Sequence, residues 1–266
     1  MVIVRQTGNI KKNSFEHDAW QNNALVVGID EVGRGCLAGP VVAAAVVMPI
    51  NKANRILKDS KIMTISERNT ASRWIKKHCH YGIGVVHHRL IDQHNIWHAT
   101  LIAMKKALMH VLEGLPVRPS VIITDAMPLN LSDTHFHDIP VYYFPKGESK
   151  SHSIAAASII AKVTRDAMME LYDAAIPGYG LKENKGYGTP KHKKVVKEQY
   201  YSFIHRVHFV ETILKNNEKK EEQLTFACMQ DCSNESELQG LLKEYNALNP
   251  STRPSLKLRR ASGVYY

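Results

Sequence analysis

The stretch Ala24 to Gly35, ALVVGIDEVGRG, constrains the chain more than any other. An apolar run of strand-forming residues, Leu25 to Val27 and Ile29, leads straight into two adjacent carboxylates, Asp30 and Glu31, and then into Gly33-Arg34-Gly35. Carboxylates buried beside a hydrophobic strand cost several kcal/mol unless a cation lies between them, a sum comparable to the stability of a whole domain. A hard divalent metal, which takes oxygen ligands, answers that need. Successive residues of a regular strand face opposite ways, so Asp30 and Glu31 can share one metal site only if the strand stops or bulges there. Gly33 and Gly35 permit such a break and let another backbone approach closely.

Further strands end in further acids. Gly39 to Met48 is a second apolar run, close enough to the first to pair with it as a hairpin, and Tyr81 to His87 reads as a third strand. Between them a polar loop ends in Lys58-Asp59-Ser60-Lys61, and Ser66-Glu67 opens a helix carrying Trp74 and Ile75. Asp92 to Leu112 has apolar residues at helical spacing and faces a core. Val121 to Ile123 is a short buried strand ending at Thr124-Asp125, and Ile139 to Phe144 is a fifth, with Glu148 just past its end. Ser153 to Tyr172 is an Ala-rich helix that packs closely on the sheet. This alternation predicts an α/β domain with a mixed sheet, its first strands antiparallel and its later ones joined by helices, with the acids gathered at one edge.

Beyond Gly178 a Gly-rich basic loop, GYGLKENKGYGTPKHKK, is followed by a helix to about Tyr201 and a segment ending near Ile213. Residues 1–22 read as a short polar arm, 23–213 as the folded domain and 214–266 as a flexible tail with one helix near Ser236 to Tyr245. The net charge of +10 and the pI near 9.3 favour a polyanionic partner, and nucleic acid fits better than membrane because no basic amphipathic helix stands out. The lysines at 182, 185, 191, 193, 194 and 197 lie beside Tyr187, where they suit phosphate better than a merely solvated face. Nothing in the chain is apolar for long enough to span a bilayer, and Cys36, Cys79, Cys228 and Cys232 lack paired spacing. We therefore expect a cytoplasmic protein with structural thiols, and a structural rather than catalytic His205.

Taken together, GIDEVGRGCLAGPVVAAAVV, LKDSK, NIWHATLIAM, IITDAMP, KGESKSHSIAAASIIAKVTRD, KGYGTPKH and HRVHF resemble bacterial ribonuclease HII, the type 2 ribonuclease H, from about Asn23 to Ile213. The resemblance implies the ribonuclease H-like fold, a five-stranded mixed sheet flanked by helices, with a helical C-terminal part. It implies endonucleolytic cleavage of RNA in RNA/DNA hybrids and on the 5′ side of single ribonucleotides embedded in DNA, leaving a 3′-hydroxyl and a 5′-phosphate. The metal-binding and catalytic carboxylates fall on Asp30, Glu31, Asp125 and Glu148, with Mg²⁺ or Mn²⁺ as cofactor. Glu148 departs from the Asp more usual at its position, and Asp166 is a weaker alternative that pairs better with Lys162 or Arg165. Substrate contacts fall on Gly33, Arg34, Gly35 and Tyr187, with Lys61, Ser153 and Lys162 as further phosphate contacts. A monomer is expected, and Gln223 to Phe226 faintly resembles a peptide that binds the sliding clamp. Two rivals remain. Type 3 ribonuclease H shares the chemistry and commonly has Glu as its fourth acid, but carries a sizeable N-terminal domain where only about 23 residues precede the first strand here. The other is a hybrid-binding module without catalysis.

Overall fold

The computed structural model describes residues 2–214 except 53, 55, 59 and 200. In chain order the elements are β1 (Ile3–Arg5), α1 (Ser14–Gln21), β2 (Val26–Val32), β3 (Val41–Val47), α2 (Ile65–His78), β4 (His80–Val86), α3 (His88–Glu113), β5 (Val121–Asp125), β6 (Val141–Phe144), α4 (Gly147–Lys150), α5 (His152–Ala175), α6 (Leu181–Asn184) and α7 (Pro190–Gln199). The chain divides into two units, Met1–Val210 and Glu211–Tyr266. The helix expected near Ser236 and the clamp-like segment 223–226 lie outside the described residues.

One mixed sheet runs in the order β1-β6-β5-β2-β3-β4. The hairpin of β2 and β3 and the pair β3 and β4 are antiparallel, as expected, while β5 joins β2, β6 joins β5 and β1 joins β6 in parallel. The expected five strands are thus joined by a sixth, because Ile3–Arg5 adds itself to the edge beside Val141–Tyr143. That three-residue strand is too short and too exposed to carry a periodic signal, so the arm read from composition is part of the sheet.

The period-two alternation of β2 and β3 sorts their side chains into two cores. Val27, Ile29, Ala43, Ala45 and Val47 pack with Ala103, Ala107 and Leu108 of α3. Ala44, Val46 and Met48 pack on the opposite face with Ala71 and Ile75 of α2 and Ala157 and Ile160 of α5. Both helices come very near the sheet. A Cβ at Gly28 would lie 2.3 Å from the carbonyl carbon of Ser153 at the start of α5, and one at Gly84 would lie 1.9 Å from the carbonyl oxygen of Ala103 in α3. α3 begins earlier than its apolar spacing suggests and breaks at Asn95 (φ 62°), whose side-chain oxygen accepts from the His98 N–H and so restarts the helix.

α7 is tied to the segment after it by two buried histidines, His192 Nε2 and His205 Nε2 at 3.0 Å, with His205 Nδ1 also bonded to Ser202. His205 is therefore structural, as expected. Burial, with His192 second, lowers its pKa to about 4.

Two outcomes follow for stability. Gly84→Ala sets a methyl against backbone that cannot swing aside, and should lower the melting temperature by about 5–10 °C. For His205 the unfolded chain takes up a proton below about pH 6.5 while the folded one resists it until about pH 4. The contribution is thus complete above the first value and lost on acidification between the two. Urea midpoints should fall over that window, and more shallowly in His205→Gln.

Candidate active site

The strand β2 does not stop or bulge at its acids. Asp30, Glu31 and Val32 pair in unbroken register with Ala44, Ala43 and Val42 of β3, so the two carboxylates leave opposite faces of the sheet. Asp30 emerges on the side of α2 and α5, where Asp125, at the end of β5, and Glu148, in the turn α4, meet it. One carboxylate oxygen from each of these three lies within 4.8 Å of the others. Glu31 stands apart from that trio: its Oε1 accepts from Arg34 Nη1 at 3.3 Å, and its buried Oε2 finds no hydrogen-bond partner among the described residues. The strand break considered for these two acids is absent: three acids converge, and Glu31 lines the same cavity beside them.

Each acid is held by backbone. Asp30 Oδ1 accepts from the Glu31 N–H at 2.8 Å, and Asp125 Oδ1 accepts from the Gly147 N–H at 3.0 Å. Glu148 Oε2 accepts from the Ser60 N–H at 3.0 Å, and its Oε1 pairs with Lys61 Nζ at 3.2 Å. Ser60 Oγ in turn meets Ser158 Oγ of α5 at 2.8 Å. Ser60 was not singled out from sequence; its place inside the LKDSK loop was the available signal. Lys146 in the left-handed region (φ 59°) lets the chain leave β6 and turn at once into the Glu148 turn.

Burial pushes the Asp30 carboxyl well above its usual range, and the charges of Glu31, Asp125 and Glu148 push it further. Burial likewise raises Glu31 to about 7, against the lowering effect of Arg34. Such crowding of like charges in a partly desolvated place is stable only with a compensating cation or with protons. Three hard oxygen donors and the unsatisfied Oε2 of Glu31 suit a divalent metal. A cavity of about 420 Å³ opens over the acids and is lined as well by Lys61, Arg68, Lys162 and Tyr187.

The remaining predicted residues divide. Lys61 and Lys162 face the cavity, and Lys162 bonds Asp166 one helical turn away at 2.7 Å. Tyr187, 39% exposed, has Lys162 Nζ and Arg165 Cζ each 5.7 Å from its ring centre. Ser153 does not reach the cavity. It is fully buried beneath Gly28, its N–H donating to Glu16 Oε1, so its reading as a phosphate contact is corrected to a packing role at the start of α5. Of the basic run after Gly180, Lys185, Lys191 and Lys194 pair with Glu170, Glu183 and Glu198, which makes much of it a solvated, ion-paired face.

Two arginines organise the loops: Arg206, which was not assigned from sequence, and Arg165, which was read only as a partner for Asp166. Arg206 is fully buried and donates to the carbonyls of Gly33 (2.6 Å), Arg34 (2.8 Å) and Gly39 (3.0 Å). Arg165, also fully buried, donates to the carbonyls of Ala38 (3.1 Å), Pro40 (2.9 Å) and Lys185 (2.7 Å). A Cβ at Gly33 (φ +93°) would lie 2.2 Å from Arg165 Nε, so glycine is required there for space as well as for conformation. Guanidinium forks thereby fix the Gly33-Arg34-Gly35 turn and the Tyr187 loop to each other.

The family model described as Ribonuclease HII matches residues 27–212. The ribonuclease HII of Listeria monocytogenes serotype 4b (strain F2365) is 43% identical over 197 residues, covering 73% of this chain and 72% of its own. That of Clostridioides difficile (strain 630) is 40% identical over 222 residues, covering 80% and 84%. Among solved structures, ribonuclease H2 from Pyrococcus horikoshii OT3 superposes with a TM-score of 0.61 at 26% identity, covering 72% of this chain and 98% of its own. RNase HII from Archaeoglobus fulgidus, solved in complex with PCNA, gives 0.55 at 25%, covering 68% and 93%. The fold is thus the ribonuclease H-like fold, and the chain belongs to the ribonuclease HII family, endoribonucleases of the ribonuclease H class.

Proposed function

We propose that this protein hydrolyses the RNA strand of RNA/DNA hybrids and cuts on the 5′ side of single ribonucleotides embedded in duplex DNA, leaving a 3′-hydroxyl and a 5′-phosphate. The observation that carries the reading is the convergence of Asp30, Asp125 and Glu148 within 4.8 Å in an open, cation-lined cavity. These three, with Glu31 beside them, would hold Mg²⁺ or Mn²⁺. A divalent ion so bound neutralises charge developing on the phosphate and makes water a competent nucleophile. Glu148 supports this assignment through its own geometry: its Oε2 accepts from the Ser60 N–H, and a carboxylate oxygen still lies within 4.8 Å of the other two acids.

The chain's own groups do the rest. Lys61 and Lys162 bring positive charge to the cavity and suit the flanking phosphates. Tyr187 offers a ring backed by Arg165, on which a sugar can lie. RNA differs from DNA here only by the 2′-hydroxyl, so a reader must set donors and acceptors close to it. The Gly33-Arg34-Gly35 turn suits that task because Arg206 already occupies its carbonyls, which leaves its N–H groups and the Arg34 side chain as the elements turned to other use.

Reduced Cys36 and Cys79 agree with a reducing compartment, and among the described residues no helix is long and apolar enough to cross a membrane. The proposal includes a cytoplasmic location and a monomeric enzyme. The Archaeoglobus relative's complex with PCNA supports a sliding clamp as a further partner.

Purified protein with Mg²⁺ or Mn²⁺ should cleave a DNA duplex containing one ribonucleotide, and chelation should abolish the cut. Asp30→Asn should reduce the rate about a thousandfold, the equivalent of several kcal/mol of lost charge stabilisation. Cleavage of long hybrids with sparing of the single ribonucleotide would replace this reading with the type 3 activity. Metal-independent binding without cleavage would replace it with a hybrid-binding module.

A further inference from the structure

The sheet edge that carries the acids has a second concavity on its other face. Asp125 lies on the acid side, and the next residues turn away. Ala126, exposed and left-handed at φ 56°, forms with Pro128, Tyr143, Pro145, Arg5 and Trp97 a groove of about 310 Å³. Its position follows from register. Ile29, Thr124, Tyr143 and Arg5 are successive cross-strand partners on β2, β5, β6 and β1, so they share the face that α3 covers. Trp97, 43% exposed, stands in the first turn after the break at Asn95. Arg34 joins the two concavities: its guanidinium bonds Glu31 at the acid pocket and lies 5.9 Å from the centre of the Trp97 ring.

We propose that this groove seats a nucleotide of the cleaved strand, next along from the scissile phosphate, with its base or sugar on Trp97 and its phosphate toward Arg5 and Arg34. The proposal rests on the nuclease reading of the acid pocket. Three features of the groove select nucleic acid as its occupant. It adjoins the acid pocket along the chain, with Asp125 lining one and its neighbour Ala126 lining the other. Its one charged lining residue is Arg5, and Arg34 stands over the Trp97 ring beside it; both match phosphate and repel a cationic partner. Its floor is made of aromatic and proline rings, flat surfaces against which the face of a sugar or of a base at the duplex rim packs. A strand bound at the acids on one face must pass over the narrow sheet edge, and this is the concavity it meets. One wall, Arg5, comes from the short strand β1, which lies outside the residues matched by the family model.

Steady-state cleavage of a DNA duplex with one central ribonucleotide, run on full-length substrate and on two series trimmed progressively from either end, tests the proposal. Trp97→Ala should raise KM on full-length duplex on the order of tenfold with little change in kcat, and Trp97→Phe should stay within about twofold of wild type. Arg5→Ala, whose exposed side chain lies away from the acids, should weaken binding in the same direction. Both deficits should vanish in one trimmed series, the one that removes the nucleotide occupying the groove. An unchanged KM in both variants overturns the proposal. So does a deficit that persists equally in both trimmed series, because an indirect effect of Trp97 through Arg34 would not depend on substrate length. Failure of the wild-type enzyme to cut any of the duplexes refutes instead the nuclease reading of the acid pocket.

Discussion

Mutual repulsion among carboxylates is the constraint around which this molecule is built. Asp30, Asp125 and Glu148 come from three places far apart in sequence, and their charges resist being brought within 4.8 Å. What holds them is stiff scaffold. Asp30 and Asp125 sit near the C-terminal ends of adjacent parallel strands, and each accepts a backbone N–H. Glu148, on a one-turn helix, is fastened by Ser60 and by the Asp125–Gly147 contact that fixes its own turn. Close packing of α5 on β2, which only glycine at position 28 allows, keeps that turn from backing away.

Around the acids lies a second layer of buried charge with the opposite sign. Arg165 and Arg206 are fully buried and satisfy their donors on main-chain carbonyls of the loops. Burial lowers Arg206 only to about 10, so it is cationic at neutral pH. A fork of fixed donors that grips several carbonyls at once converts two glycine-rich loops, which alone would be mobile, into a surface of set shape. Arg34 and Tyr187 project from that surface toward the cleft.

Much of this was legible in the amino-acid sequence, for identifiable reasons. The apolar runs of β2 and β3 and the Ala-rich α5 carry strong periodic signals, and acids at strand ends stand out because burial of charge is expensive. Strand β1 escaped because three half-exposed residues have no periodicity. The serine at the head of α5 was misread because a hydroxyl near a basic motif looks alike whether it faces phosphate or the underside of a strand; only Gly28 above it decides. Arg206 was passed over, and Arg165 read only as a partner for Asp166, because their partners are main-chain carbonyls, which leave no trace in residue types; Ser60 meets Glu148 across 88 residues, a separation no local motif records.

The separation of Asp30 and Glu31 onto opposite faces of an uninterrupted strand bears on how such a protein can diverge. Within β2, identity at each position can drift gradually, but length cannot: adding or losing one residue inverts parity, and the two acids would trade sides together with every core side chain preceding them. Exchange of one residue for another within this strand leaves the parity intact, and a change of length is accommodated without that inversion only in the connections at its two ends. Anyone grafting this centre onto another scaffold inherits the same parity rule.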